Sequence, residues 1–121
     1  MKEQNVAQEK SEDFAVRICN LYKFLSQTKQ ELIISKQILR SGTSIGANIA
    51  EALYAESKDD FIHKLKISRK EANETRYWLK LLFRSETINS VEYSSMLKDC
   101  EMLIKLLTRI IISTSENNCQ P

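Results

Sequence analysis

Apolar residues recur at helical spacing in four segments of the chain, and short polar stretches separate these segments. The spacing predicts helices over about residues 11–26, 29–55, 58–86 and 90–113. Residues 1–10 either extend the first helix or fray, and the polar residues 115–121 are expected to fray. Four helices with short connections predict an all-α fold, an antiparallel up-down four-helix bundle that forms one domain over 1–121.

Small residues line the middle of the second predicted helix, among them Gly42 and Gly46. Each glycine costs about 1 kcal/mol relative to alanine in a helix interior, so the close approach of a neighbouring helix is expected to compensate. The third helix is also small in its middle, at Ser68, Ala72 and Thr75. We therefore expect these two helices to form a tight antiparallel hairpin, and a break at Gly42 is the alternative.

The fourth predicted helix is apolar around most of its girth, since eight of the eleven residues from Met102 to Ile112 are apolar. A surface helix needs an apolar face only somewhat wider than about 100°. We expect a second copy of the chain to bury the additional apolar residues. The predicted oligomer interface consists of Met102, Leu103, Leu106 and Ile110. The pattern therefore predicts a homo-oligomer.

Composition and charge narrow the protein class. The net charge of +2 is too small to predict a nucleic-acid partner by itself. Three cysteines without paired CxxC spacing argue against a disulfide framework or a zinc site, and they favour a reducing compartment. The first ten residues contain no apolar core of a secretory signal, and no apolar run approaches the ~18 residues of a membrane span. We therefore expect a soluble, cytoplasmic protein.

Polar residues inside the small-residue stretches are the candidates for chemistry: Arg40, Asn48, Glu51, Arg69, Glu71 and Glu74. The pattern favours a structural polar network that fixes helix register or a subunit contact. A carboxylate metal site is the alternative, but no helix carries Glu-x-x-His, and His63 is the one histidine. No nucleophile–base arrangement or phosphate loop can be assembled, so we predict no catalytic residue, no metal, no cofactor and no enzyme activity.

Basic residues recur along one outward side of the third helix with a tyrosine among them. We call this set the basic stripe: Lys66, Lys70, Arg76, Tyr77, Lys80 and Arg84. A basic helix with an interleaved aromatic residue can follow a phosphate backbone. A solvated face, supported by Lys70 and Glu74 four residues apart, is the alternative. The stripe makes RNA or DNA a candidate partner.

Two blocks of sequence resemble a known family. Residues 44–52 read SIGANIAEA and residues 64–72 read KLKISRKEA, and both resemble the bacterial four-helix-bundle family named for the 23S rRNA intervening-sequence proteins. The resemblance covers nearly the whole chain and implies an antiparallel bundle that assembles into homopentameric rings. Some members are encoded inside intervening sequences of large-subunit rRNA genes. A distant branch resembles accessory proteins of retroelements, which bind nucleic acid and a reverse transcriptase.

Taken together, the patterns and the resemblance indicate a non-enzymatic, homo-oligomeric protein whose basic stripe binds nucleic acid or a nucleoprotein. Two alternatives stay open at this point. One is a purely structural protein–protein hub, for example a retroelement accessory protein. The other is the carboxylate metal protein at Glu51, Glu71 and Glu74.

Overall fold

Four helices make up the computed structural model, which describes residues 2–117. Helix α1 spans Lys2–Lys23 and continues into a π-helical turn at Phe24–Thr28, α2 spans Ile34–Ala52, α3 spans Lys58–Arg84 and α4 spans Ser90–Asn117. Each helix packs against the next, and α1 also packs against α4, so the four close into an antiparallel bundle. The prediction of an all-α four-helix bundle is confirmed. Within the described residues, no helix has the length and apolar character needed to cross a membrane.

The carboxylate of Glu31 sets the start of α2. It accepts hydrogen bonds from the backbone N–H groups of Ile33, Ile34 and Ser35 at 3.2, 3.1 and 2.6 Å. These groups belong to the first turn, which has no helical acceptors of its own. The negative charge also lies at the positive end of the helix dipole. The helix therefore begins at Ile34 rather than at residue 29, and residues 29–33 form the connection to α1.

The other boundaries differ less from the prediction. Helix α3 ends at Arg84 rather than at residue 86, because Glu86 adopts a left-handed conformation with φ of 62°. Helix α2 ends at Ala52 rather than at residue 55. Helix α4 continues past residue 113 to Asn117, so the first residues of the predicted frayed tail are helical. Residues 118–121 lie outside the described residues.

Close packing explains both glycines of α2, but the neighbour is α1. A Cβ atom added at Gly42 would lie 2.7 Å from Cγ1 of Ile18, and one added at Gly46 would lie 3.1 Å from Oγ of Ser11. Helix α2 runs through both positions without interruption, so the alternative of a break at Gly42 is wrong. The glycines let the α1 and α2 backbones approach each other where any larger residue would separate them.

The small residues of α3 meet α2 from its other side. Ser68 donates its hydroxyl proton to the carbonyl oxygen of Ile45 at 2.8 Å, and Thr75 donates to the hydroxyl of Ser41, also at 2.8 Å. All four residues are buried. The hydroxyls of Ser41, Ser68 and Thr75 therefore each have a partner, and the short side chains hold the two helices close together. This is the tight antiparallel hairpin that the sequence predicted.

The N-terminal part of α1 lies against α4 and covers part of its apolar excess, while Met102 and Ile112 stay exposed. Residues 2–10 are helical and extend α1 by about two and a half turns beyond the predicted start. Ion pairs join the two helices at both ends of this contact, between Arg17 and Asp99 at 2.6 Å and between Arg109 and Glu3 at 2.6 Å. The two helices therefore run antiparallel, and the added turns of α1 lie beside the C-terminal half of α4.

The predicted oligomer interface on α4 is consequently wrong. Leu103, Leu106 and Ile110 are 1%, 5% and 4% exposed within a single chain, so they belong to its core. Met102 is the one member of the set that reaches the surface. A charged residue introduced at Leu106 or Ile110 would enter the core of one chain and unfold it, rather than separate two chains.

Replacement of Gly42 by alanine is expected to lower the free energy of unfolding by about 1–2 kcal/mol. Alanine gains about 1 kcal/mol of helix propensity, but its Cβ overlaps the branched side chain of Ile18, which has little room to move. The matched control is Gly46→Ala, where the nearest atom is the Ser11 hydroxyl and the overlap is milder. Urea denaturation of both variants measures the difference. If Gly42→Ala is the more stable of the two variants, the close packing of α1 against α2 does not require a glycine at position 42.

Candidate nucleic-acid interface

The basic stripe lies on the face of α3 opposite its core contacts. The buried positions of α3 recur every three or four residues, at Ile62, Leu65, Ser68, Ala72, Thr75, Leu79 and Leu82. All six members of the stripe are exposed. At 1.5 Å per residue, the distance along the helix from Lys66 to Arg84 is about 27 Å. The structure therefore places the six predicted residues on one continuous, solvent-facing strip.

No acidic side chain interrupts this strip. Glu71 and Glu74 are the only acids between residues 61 and 84, and both are partly buried on the side of α3 that faces α2. Apart from Arg76, the cations of the stripe are Lys66, Lys70, Lys80 and Arg84. Among residues 2–117, no carboxylate oxygen lies within 4 Å of any of these four cations. Their charges therefore face solvent without a close ion pair, and Lys70 interacts with the Glu74 carboxylate only at longer range.

Arg76 stands at the edge of the stripe and is partly compensated. Its Nη2 donates a hydrogen bond to Oδ1 of Asn73 at 2.8 Å. Its Nη1 lies 3.7 Å from a carboxylate oxygen of Glu101 on α4. Arg76 therefore links α3 to α4, and it offers less free charge than the other cations of the stripe.

Tyr77 occupies the middle of the stripe with its ring in solvent. The side chain is 53% exposed, and its ring meets Trp78 edge-on with the ring centroids 5.1 Å apart. Trp78 is itself held in place, because its indole N–H donates to the Glu74 carboxylate at 3.0 Å. The tyrosine ring is thus supported from one side and open on the other.

Three residues of the predicted polar network come together between α2 and α3. Arg40 donates hydrogen bonds to the carboxylates of both Glu71, at 3.2 Å, and Glu74. The hydrogen bond from Trp78 lowers the pKa of Glu74, and the contacts with Arg40 lower it further. The hydrogen bond to Glu74 in turn raises the pKa of Arg40. One cation, Arg40, therefore balances part of the charge of the two acids on the α2 side of α3, and Lys70 of the stripe also interacts with the Glu74 carboxylate.

The other three residues of the predicted network lie elsewhere. Asn48 donates to the backbone carbonyl of Ser44 in its own helix, at 2.9 Å. Glu51 pairs with Lys64 at 3.1 Å. The prediction of one network that includes them is therefore wrong. Glu51 also lies apart from the two acids of α3, so these three carboxylates cannot ligate one metal ion together. The described residues contain no cluster of three or more metal-ligating side chains.

Arg69 was predicted to belong to the polar network, but it lies next to the basic stripe. Its Nη1 donates to the hydroxyl of Thr108 on α4 at 3.3 Å, and no carboxylate of the described residues lies within 4 Å of it. Lys105, which is exposed, lines the same shallow groove as Thr108. The positive surface therefore continues from the stripe onto α4. Arg69 precedes Arg76 by seven residues, about two helical turns, and this spacing could have predicted that both lie on the same side of α3.

Neither cysteine of residues 2–117 adds a reactive group to this surface. Cys100 is buried, and its thiol lies 3.2 Å from the carbonyl oxygen of Ala72, to which it donates. Burial raises the pKa of Cys100 to about 12, so at neutral pH it is a thiol and a poor nucleophile. Cys19 is exposed on α1, and Cys119 lies outside the described residues.

Comparison with other proteins agrees with the fold. Residues 3–109 match the sequence family described as 23S rRNA-intervening sequence protein. No curated protein sequence matches the chain significantly. The crystal structure of a protein of unknown function from the S23 ribosomal protein family of Bacteroides thetaiotaomicron VPI-5482 is similar, with 58% sequence identity and a TM-score of 0.89. That match covers 90% of this chain and 97% of the other. This chain belongs to the family of 23S rRNA-intervening sequence proteins.

Proposed function

We propose that this protein is a non-enzymatic module that binds nucleic acid through the basic stripe of α3. The observation that carries the proposal is the acid-free strip along about 27 Å of helix, where four cations lack a carboxylate partner among the described residues. A row of unpaired cations on a rigid helix matches the charge of a phosphate backbone. The remaining cations of the neighbourhood, Arg69 and Lys105, widen the same surface toward α4.

The fixed geometry of α3 favours binding, since the helix is held by α2 on one side and by α4 on the other. The cations therefore stand on a prearranged scaffold, and only their flexible side chains need to be ordered when phosphates bind. Neutralisation of about four phosphates releases condensed counterions, so the affinity should fall steeply with salt, with a slope of about −3 in log–log form.

The test reverses two charges of the stripe, Lys66→Glu with Lys80→Glu. The probe is a fluorescent RNA hairpin with an unpaired tail of about 10 nucleotides, so that duplex and single strand are both offered. We expect the affinity to fall about 10-fold or more at low salt, and the salt slope to shrink by about 1.5, because two phosphate contacts are lost. Fluorescence anisotropy across a salt series measures both quantities.

The matched control reverses two exposed lysines away from α3, Lys23→Glu with Lys36→Glu, which changes the net charge by the same amount. A general effect of net charge would weaken binding equally in both double variants. That result, or the absence of RNA binding by the unaltered protein, would contradict the proposal.

Assembly into a homo-oligomer, a ring of five copies, is the second part of the proposal. The family resemblance implies such a ring, and an interface must lie outside the buried side of α4. Exposed apolar side chains gather at the end of the bundle formed by the α1–α2 and α3–α4 connections, at Leu32, Ile33, Phe83 and Val91. Exposed apolar patches mark association surfaces, and here a second copy of this chain is the proposed occupant. A different protein, as expected of an interaction hub, is the alternative occupant.

Light scattering during gel filtration tests the assembly. We expect a mass near five times the 14.0 kDa of one chain, and a lower mass for Leu32→Ser combined with Ile33→Ser. Ile112→Ser is the control, because Ile112 is an exposed apolar residue on α4 away from that end. A single-chain mass for the unaltered protein at micromolar concentration would contradict the assembly and leave the hub interpretation.

A further inference from the structure

We infer that the ligand of the basic stripe is single-stranded nucleic acid, with the ring of Tyr77 as the platform on which an unpaired base stacks. This inference rests on the proposed function, and it names the class of nucleic acid. It starts from a feature that charge alone does not explain, a half-exposed aromatic ring in the centre of a row of lysines and arginines.

The surroundings of Tyr77 favour stacking over a structural role. Among the described residues its hydroxyl makes no hydrogen bond, and its ring contacts the ring of Trp78 edge-on. Trp78 is fixed by its hydrogen bond to Glu74, and Glu74 by Arg40. The ring therefore has a fixed aromatic neighbour, and the residue as a whole is 53% exposed to solvent. A supported ring with a free face is what an unpaired base needs, since every base has a π-face.

Cations flank the ring on both sides along the helix. Lys70 precedes Tyr77 by seven residues, and Arg84 follows it by seven, so all three share one line on the helix surface. The two charges are each about 10 Å from the ring along the helix axis. A strand that lies along α3 can thus place phosphates near both cations while a base between them turns inward onto the tyrosine.

The packing of α3 disfavours a duplex as the ligand. Helix α3 is bordered on one side by α2, from Lys64 to Glu74, and on the other by α4, from Arg69 to Phe83. Packed helices lie about 8–10 Å apart and each is about 10 Å in diameter, so α3 together with the two helices that flank it is wider than the about 12 Å of a DNA major groove. In A-form RNA the major groove is deep and narrow. A duplex could therefore contact the stripe only through its phosphate backbone. Its bases are stacked on one another, so none would be free to stack on Tyr77.

The experiment compares two RNA probes and four variants at one fixed salt concentration. The probes are a fluorescent oligouridylate of about 20 nucleotides and a blunt RNA duplex with the same number of phosphates. Tyr77→Leu removes the ring, Tyr77→Phe and Tyr77→Trp keep one, and Tyr54→Leu removes an exposed tyrosine from the α2–α3 turn as the matched control. Circular dichroism verifies that each exposed substitution leaves the helices intact.

The unaltered protein is expected to bind the oligouridylate more tightly than the duplex. Tyr77→Leu should weaken oligouridylate binding about 10-fold and leave duplex binding unchanged, while the other three variants retain the affinity of the unaltered protein. If the two RNAs bind equally and Tyr77→Leu affects neither, the stacking inference is overturned and the proposed function stands. If neither RNA binds to the unaltered protein, the proposed function itself is overturned.

Discussion

The close packing around the middle of α2 is the constraint on which the rest of this bundle depends. Between residues 41 and 46, α2 presents only small side chains and one isoleucine, and it is contacted from two directions. Ile18 of α1 lies over Gly42, and Ser68 of α3 reaches the backbone carbonyl of Ile45. A larger residue in this segment would push one of the two neighbours away, so the segment sets the distance of both α1 and α3 from α2.

Two consequences for the surface follow from this packing. Because the small residues of α3 point to α2, the opposite face of α3 with its lysines and Tyr77 points to solvent. Because α1 packs against α2, its N-terminal turns lie beside the C-terminal half of α4, to which Glu3 is joined by its ion pair with Arg109. The two acids of α3 itself are paired with Arg40 on the α2 side, while Arg69 and Arg76 lie on the side toward α4, where Arg76 has Glu101 as a distant partner.

The sequence predicted the fold and the basic stripe, because both depend on spacing within one helix. The core positions of α3 recur so regularly that its outward residues follow directly. Contacts between helices were harder to predict. Gly42 indicates that a neighbour is close but not that the neighbour is Ile18. Residues 2–10 are mostly polar, and the burial of Ala7 there depends on helices far away in the sequence. The apolar excess of α4 was therefore assigned to a second chain, although the same chain buries Leu103, Leu106 and Ile110.

The most direct test of base stacking on Tyr77 is ultraviolet cross-linking of a bound oligouridylate. Mass spectrometry of the tryptic peptides then identifies the segment that the base contacts. Trypsin cleaves after Arg76 and Lys80 and releases residues 77–80, the segment that contains the aromatic ring of the stripe. We predict that the cross-linked nucleotide is found on this peptide. Cross-links on the peptide of residues 41–58, which carries the exposed Tyr54, with none on residues 77–80, would contradict it.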